Sequence, residues 1–203
     1  MKIFCIGWNY DEHIKELKNE KPDEPVIFIK PDTAMLRRNR PFYIPSFSND
    51  LHHEVELVLK IDKVGKNVSP KFAYRFYSSV GIGIDFTARD LQNQLKAKGQ
   101  PWEKCKAFDY SAAFSDTFLP IADFDKNDIP FHLDINGETR QLGNSGQMIF
   151  GFDELIVHIS KYFSLKTGDL IYTGTPAGVG PVKIGDRLQA YIGNQKLMDF
   201  MIK

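Results

Sequence analysis

Short apolar runs separated by turn residues dominate this chain, and they are typical of β-strands. The runs at residues 2–7 and 26–30 predict two buried strands near the amino terminus. The run at residues 80–86 (VGIGIDF) contains small residues, which indicates that another part of the chain approaches its backbone closely. Asn136-Gly137 and Gly193-Asn194 are signals for tight hairpin turns. Further strands are predicted at residues 131–136, 170–173 and 188–192.

Helical patterns are fewer and shorter than the strand patterns. One helix is predicted to begin with Asn9 or Asp11 as its cap and to run to about Asn19. Ile14 and Leu17 give that helix one apolar edge, and its other positions are mostly charged. The other segments are predicted at residues 71–79 (helix or turn), 87–97 (helix with Thr87 as N-cap), 152–163 (helix) and 37–50 (irregular).

Taken together, these elements predict an α+β fold that is mainly β. The length of 203 residues fits one domain, so we expect residues 1–203 to form a single catalytic unit. With 42% hydrophobic and 26% charged residues, the composition resembles that of soluble globular proteins and excludes the disordered class. No internal repeat or linker interrupts the chain.

Charge and targeting signals exclude several kinds of partner. The 26 basic residues equal the 26 acidic residues, so neither nucleic acid nor an anionic membrane is an expected partner. No run approaches the roughly 20 apolar residues that a spanning helix needs. The apolar stretch at the amino terminus is too short for a signal peptide, so we expect a cytoplasmic protein. Cys5 and Cys105 form no CxxC pair and are expected to be buried, free thiols.

Residues 54–61 (EVELVLKI) form the most informative strand, because they alternate with a period of two. Glu54 and Glu56 share one face of this strand, and the opposite face is wholly apolar. A further carboxylate, Asp85, ends the apolar run at residues 80–86. On the pattern alone, an exposed polar face is the alternative to a cation site. Three carboxylates suit Mg²⁺, Mn²⁺ or Ca²⁺, whereas Zn²⁺ prefers histidine and cysteine.

Five segments in order along the chain resemble the fumarylacetoacetate hydrolase family. The resemblance implies a mixed β-sheet roll of that family's C-terminal-domain type, with a few short helices. It implies a bound Mg²⁺ or Mn²⁺, with Ca²⁺ as a further occupant, a small 2-oxo acid substrate and a homodimer. The short one-domain members, acylpyruvate hydrolases and oxaloacetate decarboxylases, are the most similar. The segments are GWNYDEHIKE, LHHEVELVLKI, GIDFTARDLQ, PWEKCKAFDYSA and IYTGTPAGVGPVKIGD.

By this resemblance, Glu54, Glu56 and Asp85 are the metal ligands, which agrees with the choice made from the residues alone. His13 and Glu16 match the family's catalytic pair on a short helix that acts as a lid. Three residues apart on a helix, they share one face and can together activate water. Without the family, a surface pair on a charged helix is the simpler interpretation of these two residues.

Further site residues also come from the resemblance. Lys106 matches a family lysine that holds a substrate oxygen and stabilises an enolate. Without the motif, Lys104 is an alternative, and an ordinary surface lysine is the simpler interpretation. Gln92 is expected to bind substrate through a hydrogen bond. Arg89 is expected either to pair with a carboxylate or to anchor its helix. Thr175 lies in a glycine-rich turn that is not a phosphate-binding Walker motif, yet its hydroxyl and backbone N–H groups can bind a carboxylate.

Two positions near the expected site are less firmly placed by the resemblance. Lys30, in the segment FIKPDTA, is expected to line the entrance of the site. Trp8 stands where similar chains often carry a basic residue, which is expected to change the preferred acid without touching the metal site.

The expected reaction is hydrolysis of a C–C bond in an acylpyruvate-type 2,4-dioxo acid, which releases a pyruvate enolate. Oxaloacetate decarboxylation and keto–enol tautomerisation are alternatives at the same site, because all three reactions pass through the enolate of a 2-oxo acid. A non-catalytic binding protein on the same fold is a different class of function. It is disfavoured because the three carboxylates occur together with His13, Glu16 and Lys106.

Overall fold

The computed structural model describes residues 1–16 and 20–203. The strands are β1 (Ile3–Gly7), β2 (Val26–Lys30), β3 (Met35–Leu36), β4 (Leu51–His53), β5 (Val55–Ile61), β6 (Tyr77–Asp85), β7 (Thr87–Ala88), β8 (Ala112–Phe114), β9 (Leu119–Pro120), β10 (Pro130–Ile135), β11 (Glu138–Asn144), β12 (Leu170–Tyr172), β13 (Gly180–Pro181), β14 (Arg187–Ile192) and β15 (Gln195–Met201). The α-helices are α1 (Asp11–Glu16), α2 (Arg89–Ala97), α3 (Glu103–Lys106) and α4 (Phe152–Tyr162). Short 3-10 helices occur at Asp32–Ala34, Pro70–Phe76, Ile121–Asp123 and Ser145–Gln147.

The strands form a large curled sheet and two smaller sheets. The large sheet has the order β2-β1-β12-β5-β6-β8-β3, with β9 paired to β6. It is mixed, because β1–β12 and β3–β8 are parallel pairs and the other pairs are antiparallel. The smaller sheets have the orders β11-β10-β14-β15 and β13-β4-β7. This curled, mainly β architecture with a few short helices confirms the fold class predicted from the sequence.

Strand β5 lies in the middle of the large sheet and is buried on both faces. Val55, Leu57 and Leu59 are fully buried, as their alternation predicts. Glu56 and Val58, on the other face, are also buried. The polar face of this strand is therefore not a solvated surface, because other elements cover it.

Two predicted helix caps are wrong. The side-chain amide of Asn9 donates to the carbonyl oxygens of Phe150 and Thr173, and its oxygen accepts from the Phe150 backbone N–H. Asn9 thus joins two loops that are distant in sequence and does not cap α1. Thr87 lies in the short strand β7, and Ala88 occupies the position before α2. The side chains of Asn9 and Thr87 make tertiary contacts that the local sequence does not reveal.

Both predicted hairpin turns are confirmed, and each leads into a return strand that the apolar pattern did not predict. Asn136-Gly137 joins β10 to β11, and Gly193-Asn194 joins β14 to β15. Asn136 and Gly137 have φ angles of 55° and 82°, which suit the two-residue turn that matches strand twist. The segment predicted as helix or turn at residues 71–79 is a 3-10 helix that ends at Phe76, and β6 begins at Tyr77.

Several smaller expectations can be compared directly with the structure. Cys5 and Cys105 are buried and free, as predicted. Leu17 and the expected helix end at Asn19 lie outside the described residues. Within the described residues, each helix is too short or too polar to cross a membrane.

Candidate active site

Three carboxylates meet on one face of the large sheet. Glu54 precedes β5, Glu56 lies within it, and Asp85 ends the neighbouring strand β6. The backbone N–H of Asp85 donates to the Glu54 carbonyl, which fixes the two strands so that these side chains share a face. One oxygen from each carboxylate lies within 4.8 Å of the others, and all three residues are buried.

A glycine beside this cluster makes room for the ring of Tyr172. Gly83 pairs with Glu56 across the strands. A Cβ at this position would lie 2.7 Å from Tyr172 Cε1 and 2.8 Å from the Ala113 carbonyl oxygen. The small residues of β6 therefore permit the close approach that the sequence predicted.

Lys106 lies at the centre of the charge network. Its ammonium donates to Glu54 Oε2 at 2.7 Å, to Asp85 Oδ2 at 2.7 Å and to Thr87 Oγ1 at 2.6 Å. Lys104 is exposed on the same short helix, so the structure separates the two candidate lysines. Burial alone would lower the pKa of Lys106, but the carboxylates of Asp85 and Glu54 outweigh burial and raise it. Lys106 therefore carries a fixed positive charge.

Helix α2 contributes Arg89 and Gln92 from one face. The Arg89 guanidinium pairs with Glu54 and also donates to the Gln92 side-chain oxygen. Both roles expected for Arg89 occur together. Arg89 pairs with a carboxylate, and because that carboxylate belongs to Glu54, the same contact anchors α2. Burial would raise the pKa of Glu54, but Lys106 and Arg89 overcome burial and hold it well below the ordinary value.

Lys30 is not at the entrance of the site, so that prediction was wrong. Its side chain is completely buried, and its ammonium lies 2.5 Å from Asp85 Oδ1. It also donates to the carbonyl oxygens of Ser111 at 2.9 Å and Phe86 at 3.5 Å. Lys30 is the last residue of β2, and the curl of the sheet brings this end of the strand against Asp85. A strand pattern in the sequence cannot show such a contact. Its positive charge offsets the negative charge of Asp85 within the buried interior.

The donor set fits a divalent cation. Glu56 receives the backbone N–H of Gly174 at 2.6 Å but has no lysine or arginine partner among the described residues. Burial, together with the nearby charges of Asp85 and Glu54, raises its pKa well above the ordinary value. A bound cation would stabilise the negative charge of such a carboxylate. A cluster of carboxylate oxygens is also the ligand type that Mg²⁺ and Mn²⁺ prefer.

His13 and Glu16 form a hydrogen-bonded pair on α1. His13 Nδ1 lies 3.1 Å from Glu16 Oε2, and His13 is buried against the cleft while Glu16 is half-exposed. Burial lowers the pKa of His13, although Glu54 and Glu16 oppose this effect. The imidazole is therefore neutral at neutral pH. With Nδ1–H donated to Glu16, its Nε2 carries a lone pair that can accept a proton.

The glycine-rich turn at residues 173–180 binds carboxylates, as its sequence indicated, but they belong to the protein itself. The N–H of Gly174 donates to Glu56, and that of Gly178 donates to Glu16 Oε1 at 3.1 Å. Gly174 has a φ of 104°, and a Cβ there would lie 2.6 Å from Asn9 Cβ, so only glycine fits. One turn thus contacts both the carboxylate cluster and the His13–Glu16 pair.

Gln141 supports the cleft through hydrogen bonds that the sequence did not reveal. It is buried on β11 and donates to Thr175 Oγ1 at 2.8 Å and to the Pro176 carbonyl at 3.0 Å. Its own oxygen accepts from the Val55 backbone N–H and from His53 Nδ1. Thr175 Oγ1 thus accepts from Gln141, and its own hydroxyl donates to the Pro176 carbonyl at 3.5 Å. A glutamine on an otherwise polar strand gives no sequence signal for this role.

These groups line one small, narrow cleft. The structure brings together eight of the nine site residues expected from the sequence, and Glu16 stands behind His13. It adds an aromatic and basic end to the cleft that includes Trp8. The lining residues are Ile6, Gly7, Trp8, His13, Phe28, Glu54, Glu56, Asp85, Arg89, Gln92, Lys96, Trp102, Lys106 and Thr175.

Comparison with known families identifies the kind of protein. The model described as "Fumarylacetoacetate (FAA) hydrolase C-terminal" matches residues 2–200. The chain belongs to the fumarylacetoacetate hydrolase family. The family suggested by the five sequence segments is therefore confirmed.

Individual relatives in this family carry different activity names. The chain is 44% identical over 189 residues to oxaloacetate tautomerase YcgM of Escherichia coli, a match covering 92% of this chain and 86% of that protein. It is 42% identical over 199 residues to the mitochondrial oxaloacetate decarboxylase of Dictyostelium discoideum, covering 94% and 88%. The solved structure of fumarylpyruvate hydrolase from Pseudomonas aeruginosa, with Mn²⁺ and pyruvate, matches with a TM-score of 0.93. That match has 32% identity and covers 100% of this chain and 89% of the other.

Proposed function

We propose that this protein is a divalent-metal-dependent enzyme that interconverts the keto and enol forms of oxaloacetate. The observation that carries the proposal is the shared cleft, in which a buried carboxylate cluster, a fixed ammonium and a neutral histidine face one small volume. The names of the similar tautomerase and decarboxylase favour oxaloacetate over the acylpyruvates expected first from the sequence. Decarboxylation of oxaloacetate fits the same site, because loss of CO₂ leaves the enolate of pyruvate, whose negative charge develops on the same C2 oxygen.

Glu54, Glu56 and Asp85 would hold the cation, and we propose Mg²⁺ or Mn²⁺ as its identity. When bound, such a cation supplies Lewis acidity and orients a 2-oxo acid. The Mn²⁺ in the similar fumarylpyruvate hydrolase supports this assignment. The protein's own contribution is to keep three carboxylates close together in a buried place, with Lys106 and Arg89 limiting their mutual repulsion.

His13 is the proposed proton carrier. Its Nε2 accepts a proton from C3 of the keto acid, while Glu16 holds the Nδ1–H and stabilises the imidazolium that forms. The proton then returns to the oxygen on C2, which gives the enol without loss or gain of atoms. Lys106 stabilises the negative charge that develops on this oxygen, because its ammonium is fixed by three hydrogen bonds.

Hydrolysis of an acylpyruvate-type acid is the second candidate function. The His13–Glu16 pair favours it, because Glu16 is half-exposed and is held in place by Gly178, so the pair can position and deprotonate a water molecule. Water would attack the distal carbonyl carbon, and cleavage of the C–C bond would leave the pyruvate enolate. The similar fumarylpyruvate hydrolase supports this alternative.

The test compares three reactions of one preparation. Metal-stripped protein would receive Mg²⁺ or Mn²⁺ and then oxaloacetate, with enol absorbance reporting tautomerisation and pyruvate reporting decarboxylation. Acetylpyruvate would report hydrolysis through loss of dioxo-acid absorbance. Metal-dependent acceleration of keto–enol exchange would support the main proposal. Rapid loss of acetylpyruvate without enhanced exchange would replace it with hydrolysis.

Matched variants test the assigned roles. Lys106→Met is expected to lower kcat/KM for the exchange by about 100-fold or more, since it removes a fixed charge beside the developing oxyanion. Lys104→Met, two residues away and exposed, is the control and is expected to behave as wild type. Equal activity of both variants would refute the role of Lys106.

The homodimer expected from the family stays a prediction, which light scattering during size-exclusion chromatography would test.

A further inference from the structure

One end of the cleft holds a lysine framed by two tryptophans. The Lys96 ammonium lies 5.2 Å from the ring centroid of Trp8 and 5.7 Å from that of Trp102. The two indoles meet edge to face, with centroids 5.5 Å apart. Both distances to Lys96 are within the range of cation–π attraction, which holds the ammonium at a defined place. All three residues line the same cleft as the carboxylate cluster.

Trp8 adopts an unusual backbone conformation to form this frame. Its φ is 58°, in the left-handed region that a bulky side chain rarely enters. Strained positions of this kind persist where the surrounding structure requires them, and they are common at ligand-binding places. In this conformation the indole of Trp8 contacts both Lys96 and Trp102.

Lys96 differs from the other cations of the cleft in its partners. Arg89 is paired with Glu54, and Lys106 is paired with Glu54 and Asp85. In the described part of the chain, Lys96 has no carboxylate within ion-pair distance, and its contacts are the two aromatic rings. Burial lowers its pKa, and the nearby charges of Arg89 and Lys106 lower it further. A half-buried cation beside two others is stabilised by an anion, and this one lacks an anion from the protein.

The position of Lys96 along α2 separates it from the carboxylate cluster. Arg89, Gln92 and Lys96 occupy positions i, i+3 and i+7, so they lie along one face of the helix. At 1.5 Å per residue, Lys96 lies about 10 Å along the helix axis from Arg89. A ligand whose 2-oxo acid end is near Glu54 and Arg89 would therefore extend toward Lys96 at its other end.

We infer that Lys96, held by Trp8 and Trp102, binds the second carboxylate of a dicarboxylic 2-oxo acid and so determines substrate specificity. The inference rests on the proposed function for the location of the 2-oxo acid end. It adds that the cleft selects acids with a carboxylate at the far end over acids with a methyl group there. Trp8 and Trp102 position the ammonium and exclude water from it.

Binding without turnover is the first test. Isothermal titration of Mn²⁺-loaded protein would compare 2-oxoglutarate with 2-oxopentanoate, which has the same chain length but ends in a methyl group. Wild type is expected to bind the dicarboxylic acid about 10- to 100-fold more tightly, the range for a hydrogen bond to a charged group. Lys96→Met should abolish this preference, and Lys96→Arg should restore part of it. Lys98→Met, on the exposed C-cap of the same helix, is the control and should retain it.

Turnover separates this inference from the proposed function. In Lys96→Met, KM for oxaloacetate is expected to rise while kcat/KM for acetylpyruvate stays within about twofold. An equal loss for both substrates would overturn the inference and make Lys96 a structural residue. Unchanged KM for oxaloacetate in an active Lys96→Met enzyme would also overturn it, while leaving the proposed function intact. A third outcome separates the two claims. If wild type turns over neither substrate, yet Lys96→Met loses the binding preference that wild type shows, the inference is upheld and the proposed function is refuted.

Discussion

Replacing Lys30 with methionine tests how the buried charges of the site are balanced. Lys30 is completely buried, and its ammonium lies 2.5 Å from Asp85 Oδ1. Methionine has a similar length and no charge, so the change removes the cation without opening a large cavity. In the metal-free protein Asp85 would then lose one of its two lysine partners.

The magnitude follows from the contacts that remain. Removing one partner of a buried ion pair costs about 3–5 kcal/mol, because the other charge stays buried. Lys106 still binds Asp85 Oδ2 at 2.7 Å, so the charge of Asp85 is not left without a partner. We therefore expect the lower end, about 3 kcal/mol of unfolding free energy. For a chain of this length, that loss lowers Tm by about 6–12 °C.

Urea denaturation in EDTA, followed by fluorescence, would measure the loss. The double variant Lys30→Met/Asp85→Asn removes both charges and is expected to be more stable than the single variant by at least about 1 kcal/mol. Lys98→Met is the surface control and should change stability by less than about 0.5 kcal/mol. A loss below about 1 kcal/mol in Lys30→Met, or a double variant less stable than the single one, would refute the charge-balance argument.

Two further predictions concern packing and pH. Gly83→Ala is expected to lower the free energy of unfolding by about 1–3 kcal/mol, because its Cβ would meet Tyr172 Cε1 at 2.7 Å. Urea midpoints would show this loss, whereas a Cβ in Gly180→Ala meets its nearest atom at 3.5 Å and should cost less; equal midpoints would contradict the packing argument. Burial lowers the pKa of His53, which is hydrogen-bonded to Gln141, so the unfolded chain binds the proton more tightly. Stability should therefore fall as pH drops below about 6.5, and His53→Gln should weaken that pH dependence in urea titrations from pH 7.5 to 5.0.

The carboxylate cluster could be predicted because strand periodicity is a local property. Glu54 and Glu56 alternate with apolar residues, and Asp85 follows a run that is too apolar for a surface loop. These features indicate shared faces before any tertiary contact is known. The tight turns at Asn136-Gly137 and Gly193-Asn194 were predictable for the same reason, since each needs residues that accept positive φ.

Other features depend on contacts between distant segments. Asn9 and Thr87 have the residue types of helix caps, yet their side chains serve other parts of the chain. The sequence indicates only that Lys30 ends a strand, and the curl of the sheet then places its ammonium against Asp85. Gln141 lies more than 30 residues before Thr175, and their hydrogen bond exists only because β11 reaches the glycine-rich turn.

The sequence by itself determined the mainly β fold and the family, because alternation, turn residues and segment order are local properties of the chain. It also predicted most of the side chains that the structure brings together in one cleft. Tertiary structure decided which lysine serves the site, since Lys106 and Lys104 differ only in the direction that α3 gives them. It also decided where each charge finds its partner and which cation is left for a ligand. Electrostatic energy depends on distance and burial in space, and neither quantity can be read from separation along the sequence.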